Sequence, residues 1–112
     1  MNAYSLIEIW RPRPDWYALS RQQKQDFVAK GTEILGGIAA KGGQLIGIHR
    51  CRSLSEGGWD VFAYWQMPTA DLIVELSEQV ELIGWNRYFE QINFVGKTIS
   101  PEVYLQGLIT EP

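Results

Sequence analysis

Histidine and cysteine are nearly missing from this chain: His49 and Cys51 are the only ones in 112 residues. A lone cysteine excludes an intrachain disulfide and suits a reducing compartment. No helix N-terminus or basic partner is predictable around Cys51, so it reads as a small buried side chain rather than a nucleophile. A basic excess is lacking too. Ten Lys and Arg against thirteen Asp and Glu leave a net charge of −3 and a pI near 5.1, so nucleic acid is not an expected partner, although Arg11, Arg13, Arg50 and Arg52 cluster locally. Long apolar runs are missing, which excludes a signal peptide or a membrane span and points to a soluble, cytoplasmic protein with no membrane partner. No internal repeat, linker or low-complexity segment interrupts the chain. No metal cluster, phosphate loop or nucleophile elbow occurs either.

Aromatic mass is what the chain has in quantity. Five Trp and 46% hydrophobic residues in 12.8 kDa are more than a two-layer domain of this size can hide inside itself. A chain of this length buries roughly 65% of its unfolded surface. A dimer interface or a ligand pocket is the natural place for the surplus.

The order of periodicities defines the fold class. Ser5-Leu6-Ile7-Glu8-Ile9-Trp10 alternates as a strand, ended by Arg11-Pro12-Arg13-Pro14, where two prolines forbid both helix and ladder donation. A turn is expected around Asp15-Trp16-Tyr17. Ser20 and Gln23 then form a capping box, and Phe27, Val28, Gly31, Ile34, Leu35 and Ile38 share one face of a helix that stops at Lys41-Gly42-Gly43. Strands from about Gln44 to Arg52 and from about Trp59 to Met67 flank the glycine-bearing loop 53–58. After Pro68, Thr69 caps a second helix with the stripe Leu72, Ile73, Leu76, Val80 and Ile83. Gly84 bends the chain into a short helical turn, and a last strand is expected from roughly Ile92 to Ile99. Ser100-Pro101-Glu102 has the cap, proline and early acid of a helix start, which predicts a short C-terminal helix over about 101–109. This βαββαβ order over residues 1–112 is that of a single ferredoxin-like α+β domain: a four-stranded antiparallel sheet, in spatial order 4-1-3-2, with two helices on one face.

Aliphatic parity suggests which faces are covered. Ile7 and Ile9, with Ile46 and Ile48, suit the helix-covered side. That leaves Leu6, Glu8 and Trp10, with Leu45, Gly47, His49 and Cys51, on a second face too apolar for water and too polar for a dry core. A second copy of the sheet closing over it explains both properties.

At this point the chain resembles a known group. Its element order, length and amphipathic second face are similar to the dimeric α+β barrel superfamily, in which two ferredoxin-like subunits pack sheet to sheet. Trp16, Leu19-Ser20 and Phe27, then Asp60-Val61-Phe62-Ala63-Tyr64-Trp65, then Gly84 through Asn93 and Gly96, resemble an uncharacterised bacterial domain family within that superfamily. The resemblance implies the fold and a homodimer, and it carries over no catalytic residue.

His49 is the only side chain whose ordinary pKa lies near neutrality; it reads either as a general base or haem ligand, or as a hydrogen-bonded interface histidine. Glu8 shares its expected face about 10 Å away, and Tyr64 on the intervening strand completes a candidate Glu8, Tyr64, His49 constellation if its parity faces that way. Glu8, flanked by Leu6 and Trp10, should have a raised pKa unless it meets Arg50, Arg52 or a partner subunit. Trp10, Trp65, Trp85, Tyr88 and Phe89 are the expected aromatic walls of a ligand site, with packing the competing reading for the 85–89 segment. The superfamily resemblance implies cofactor-independent monooxygenase-like or isomerase-like chemistry on a small aromatic or carboxylic compound. A non-catalytic ligand-binding or structural dimer is the alternative. Neither a metal nor a cofactor is expected, haem included, since one histidine without a pocket motif is weak evidence for ligation.

Overall fold

A computed structural model describes residues 3–54 and 56–111. The elements run β1 (Tyr4–Pro12), α1 (Pro14–Tyr17), α2 (Arg21–Ala40), β2 (Gln44–Arg50), β3 (Val61–Met67), α3 (Ala70–Leu82), α4 (Trp85–Tyr88), β4 (Phe89–Lys97) and α5 (Pro101–Thr110). Two 3-10 turns, Arg52–Leu54 and Glu56–Gly58, join β2 to β3; Ser55 lies outside the described residues. The strands form one antiparallel sheet in the order β2-β3-β1-β4, with α2 and α3 on one side.

Local chemistry sets the boundaries. The Ser20 side chain accepts from the Gln23 backbone N–H at 3.1 Å while Gln23 Oε1 accepts from the Ser20 N–H at 2.8 Å, so the capping box satisfies two otherwise orphaned donors at the start of α2. Thr69 and Ser100 cap α3 and α5 in the same way, accepting from Leu72 and Val103. The stop after α2 depends on Gly43, where a Cβ would lie 2.6 Å from Ile38 Cγ2 and 3.1 Å from Met67 Sδ. The hairpin strands are each about two residues shorter than expected, β2 ending at Arg50 and β3 starting at Val61, and two further elements differ. The turn at Asp15–Tyr17 is a helical turn, started by Pro14 with its preset φ. β4 begins at Phe89 rather than Ile92, because Pro12 and Arg11 continue the pairing onto Phe89 and Glu90, and the Arg11 guanidinium grips the Glu90 carboxylate at 2.8–3.2 Å.

The expected facing of β1 is reversed. Leu6, Glu8 and Trp10 turn toward the helices, and Ile7 and Ile9 turn to the open side. Leu6 pairs with Trp65 and Glu8 with Ala63, and Leu6, Trp65, Ala63 and Met67 are buried. On β2, Ile46 is an extra residue in a bulge between Leu45, opposite Trp65, and Gly47, opposite Tyr64. The bulge shifts parity along the strand, so both Leu45 and Ile48 fall on the helix side while Gly47 and His49 stay on the open side. Alternation could not choose between the faces because both are apolar.

The helix side has three zones. Leu6, Ile38, Trp65, Met67, Leu72, Ile73 and Leu76 form a closed core, with Tyr4, Ile34, Leu45 and Val80 packed against it. At the far end Trp16, Phe27, Trp85, Tyr88 and Phe89 pack ring to ring, with centroids 4.1 Å apart for Trp85 and Phe89 and 5.0 Å for Trp16 and Phe89. Between the two zones lies a cavity. The open side presents Ile7, Phe62, Ile92 and Phe94 to solvent. α5 is exposed along its length except at Gly107, although it carries Val103, Tyr104, Leu105, Leu108 and Ile109. The Cα radius of gyration is 16.3 Å, against roughly 13 Å for a compact chain near this length.

Candidate ligand cavity

The cavity, partly open to solvent, holds about 190 Å³ between sheet and helices. Its floor is Glu8 and Trp10 of β1, Leu45 and Ile48 of β2, Ala63 and Trp65 of β3, and Gln91 of β4; its roof is Gly31 and Leu35 of α2, Leu76, Val80 and Ile83 near α3, and Trp85 of α4. Two features separate this space from a packing defect. First, α2 carries a glycine facing it: a Cβ at Gly31 would meet no atom within 4 Å, so the helix gives up about 1 kcal/mol of propensity at a position where a side chain has room. Second, the floor holds a carboxylate.

Glu8 faces the helices because the strand alternation that turns Leu6 and Trp10 that way carries position 8 to the same face. Its oxygens are held by opposite neighbours. Oε1 accepts from Trp65 Nε1 at 2.7 Å, and Oε2 accepts from Gln91 Nε2 at 3.0 Å. Gln91 is itself fixed: its Oε1 accepts from Trp85 Nε1 at 2.7 Å and its Nε2 also donates to Asn93 Oδ1 at 2.7 Å. The chain Trp65, Glu8, Gln91, Trp85 therefore crosses three strands and reaches the roof as one connected network. Burial pushes the Glu8 carboxyl above its ordinary range, and the hydrogen bonds from Trp65 and Gln91 oppose that shift without cancelling it. Arg52 pairs with Asp60 instead, and none of the lining residues is basic.

The residues expected to form one constellation lie on two sides of the sheet. Tyr64 and His49 are on the open side, where His49 stacks on Phe62 with centroids 4.7 Å apart. Tyr64 joins a polar row there: Gln66 donates to the Tyr64 hydroxyl and, at 3.1 Å, to Ser5 Oγ, which lies 3.4 Å from Thr98 Oγ1. Glu8 is on the helix side and meets neither Tyr64 nor His49, because β1 faces the other way. Of the expected aromatic walls, Trp10, Trp65 and Trp85 line the cavity, whereas Tyr88 and Phe89 belong to the aromatic cluster beyond it. Gln91 and Gly31 also line the cavity, neither being expected there from the sequence. Gln91 is legible only once the β1–β4 register sets it beside Trp10. Gly31 had a signal, a glycine within an apolar helical stripe, that is ambiguous without knowing what lies beneath.

Element order and sheet topology together define an α+β chain with a ferredoxin-like fold. The chain belongs to a family of unknown function, DUF6616, which residues 3–111 match. No curated protein matches the chain. Similar solved structures include a mutant chlorite dismutase from Candidatus Nitrospira defluvii, at a TM-score of 0.77 and 15% identity over 95% of this chain and 44% of that one. A heme-binding protein from Thermus thermophilus is similar at a TM-score of 0.74 and 18% identity, over 96% of this chain and 44% of that one. The chain thus spans less than half the length of these solved chains, and at such identities the likeness is one of fold.

Haem does not fit this cavity. Its iron takes an axial His, Cys, Met or Tyr, and none of these lines the space; His49 lies across the sheet. Among the described residues no group of three or more His, Cys, Asp and Glu is placed to hold a metal ion, and no helix is long and apolar enough to cross a membrane.

Proposed function

We propose that each subunit binds one small, largely apolar molecule in the cavity beneath α2, with Glu8 as the group that holds or moves a proton there. The observation that carries this reading is Glu8 itself, a carboxylate kept in an otherwise apolar space by two dedicated donors. Folding gains nothing from such a charge. An engineered apolar cavity of about 150 Å³ takes benzene, so 190 Å³ suits a single ring. Of the two ligand chemistries expected from the sequence, the aromatic one fits three indole walls. The carboxylic one finds no cation in the lining. Turnover at this site would be acid–base chemistry at the Glu8 carboxyl, with no step assigned to His49 or Tyr64.

We further propose a homodimer closed over the open sheet face. Phe62, Phe94, Ile7 and Ile92 expose there an apolar surface flanked by the Tyr64 row, and α5 exposes five more apolar side chains. A free apolar helix of ten residues is marginal in water. A second copy is the partner that this self-complementary face suits, and His49 then becomes an interface residue.

A thermal-shift series with toluene, phenol and indole on the wild type and Gly31→Leu tests the cavity. The wild type should be stabilised by at least one of them and Gly31→Leu by none. Equal shifts in both proteins place the binding elsewhere, and no shift in the wild type favours the purely structural dimer.

A further inference from the structure

The donors that converge on Glu8 are all engaged. Trp65 Nε1 serves Oε1, Gln91 Nε2 serves Oε2 and Asn93, and Trp85 Nε1 serves the Gln91 carbonyl. Each carboxylate oxygen accepts one of these bonds and keeps a further lone pair. No other lining residue from α2, α3, α4 or any strand is titratable or charged. An anionic ligand would therefore meet no cation and, where Glu8 is ionised, an acceptor of its own sign with no free donor in the Glu8 network. A cationic one would meet a carboxylate that lacks a counter-ion and three indole rings whose faces attract positive charge.

We infer that the cavity selects small aromatic amines of about benzylamine size, the ammonium group meeting the Glu8 carboxylate and the ring lying among Trp10, Trp65 and Trp85. This rests on the reading of the cavity as a ligand site and adds the ligand's charge. Binding gives Glu8 the ion pair that the fold withholds, and the amine in turn holds Glu8 ionised, so amine affinity rises as Glu8 loses its proton. Trp65 and Gln91 position the carboxylate and contribute no charge of their own.

Calorimetric titration with benzylamine, toluene and benzoate at pH 7 tests the inference. Benzylamine should bind at least tenfold more tightly than toluene, and benzoate most weakly. Glu8→Gln should lose the preference for the amine while still binding toluene. If that variant does not fold, the wild type alone decides: benzylamine affinity should increase between pH 4 and pH 8 while toluene affinity stays level. Toluene bound as tightly as benzylamine, benzoate preferred, or a flat pH profile for the amine overturns the inference and leaves the cavity reading standing. Binding of none of the three overturns both.

Discussion

Gly31→Ala should stabilise the protein, and by more than the same change at Gly36. Both glycines lie within α2, and a Cβ at either would meet no atom within 4 Å. Gly36 is on the exposed face, so its replacement gains only helix propensity, about 0.5–1 kcal/mol. At Gly31 the new methyl enters the cavity and adds about 0.8 kcal/mol of burial, for a total near 1.5 kcal/mol. Urea unfolding at fixed pH measures both, and the difference between the variants isolates the cavity term from helix propensity. In thermal melts the larger gain corresponds to a rise of about 6 °C. A Gly31→Ala variant that gains no more than Gly36→Ala, or loses stability, would show that the space under α2 is closed in solution and would refute the argument that Gly31 keeps it open.

The other predictions concern Glu8, the open face, α5 and haem. Because burial raises the Glu8 pKa in the folded state, the folded protein holds a proton that the unfolded chain has released; stability from this group is full below the unfolded carboxyl pKa and falls as pH rises through the folded value. Unfolding free energies from pH 4 to pH 8 should show Glu8→Gln gaining on the wild type as pH increases, and parallel profiles would remove Glu8 from the buried site. Light scattering of the wild type should give about twice the 12.8 kDa chain mass, and Phe94→Glu, at a position 57% exposed on the open face, should give the monomer; a monomeric wild type contradicts the dimer. Leu105→Lys with Leu108→Lys should raise the dimer dissociation constant without lowering monomer helix content, whereas an unchanged constant detaches α5 from the interface. Hemin should produce no saturable Soret shift at stoichiometric concentration, and a tight shift abolished by His49→Ala would reverse the account of haem.

Much of the fold was legible because local chemistry and global topology agree. Ser20 with Gln23, Thr69, Ser100 and the glycine stop after α2 act within a few residues of themselves, and each occupies its expected place. The sheet order followed from element order alone. Facing was not legible. Ile7 and Ile9 look more like core than Leu6, Glu8 and Trp10, and the reversal depends on Trp65 and Gln91, distant in sequence, donating to Glu8 and making its burial tolerable. On β2 the Ile46 bulge breaks the alternation on which any parity argument rests. The site was half legible for the same reason: Glu8 and its raised pKa followed from its neighbours, as did three of the tryptophans, but its supposed partners His49 and Tyr64 depended on a facing that only tertiary structure sets.

The central claim, a ligand site built around Glu8, is tested most directly by crystals of the protein grown with bromobenzene and measured at the bromine edge. The account predicts one anomalous peak per chain under Gly31, among Trp10, Trp65 and Trp85. Peaks confined to the open sheet face, or a cavity left without bromine at saturating ligand, would contradict it.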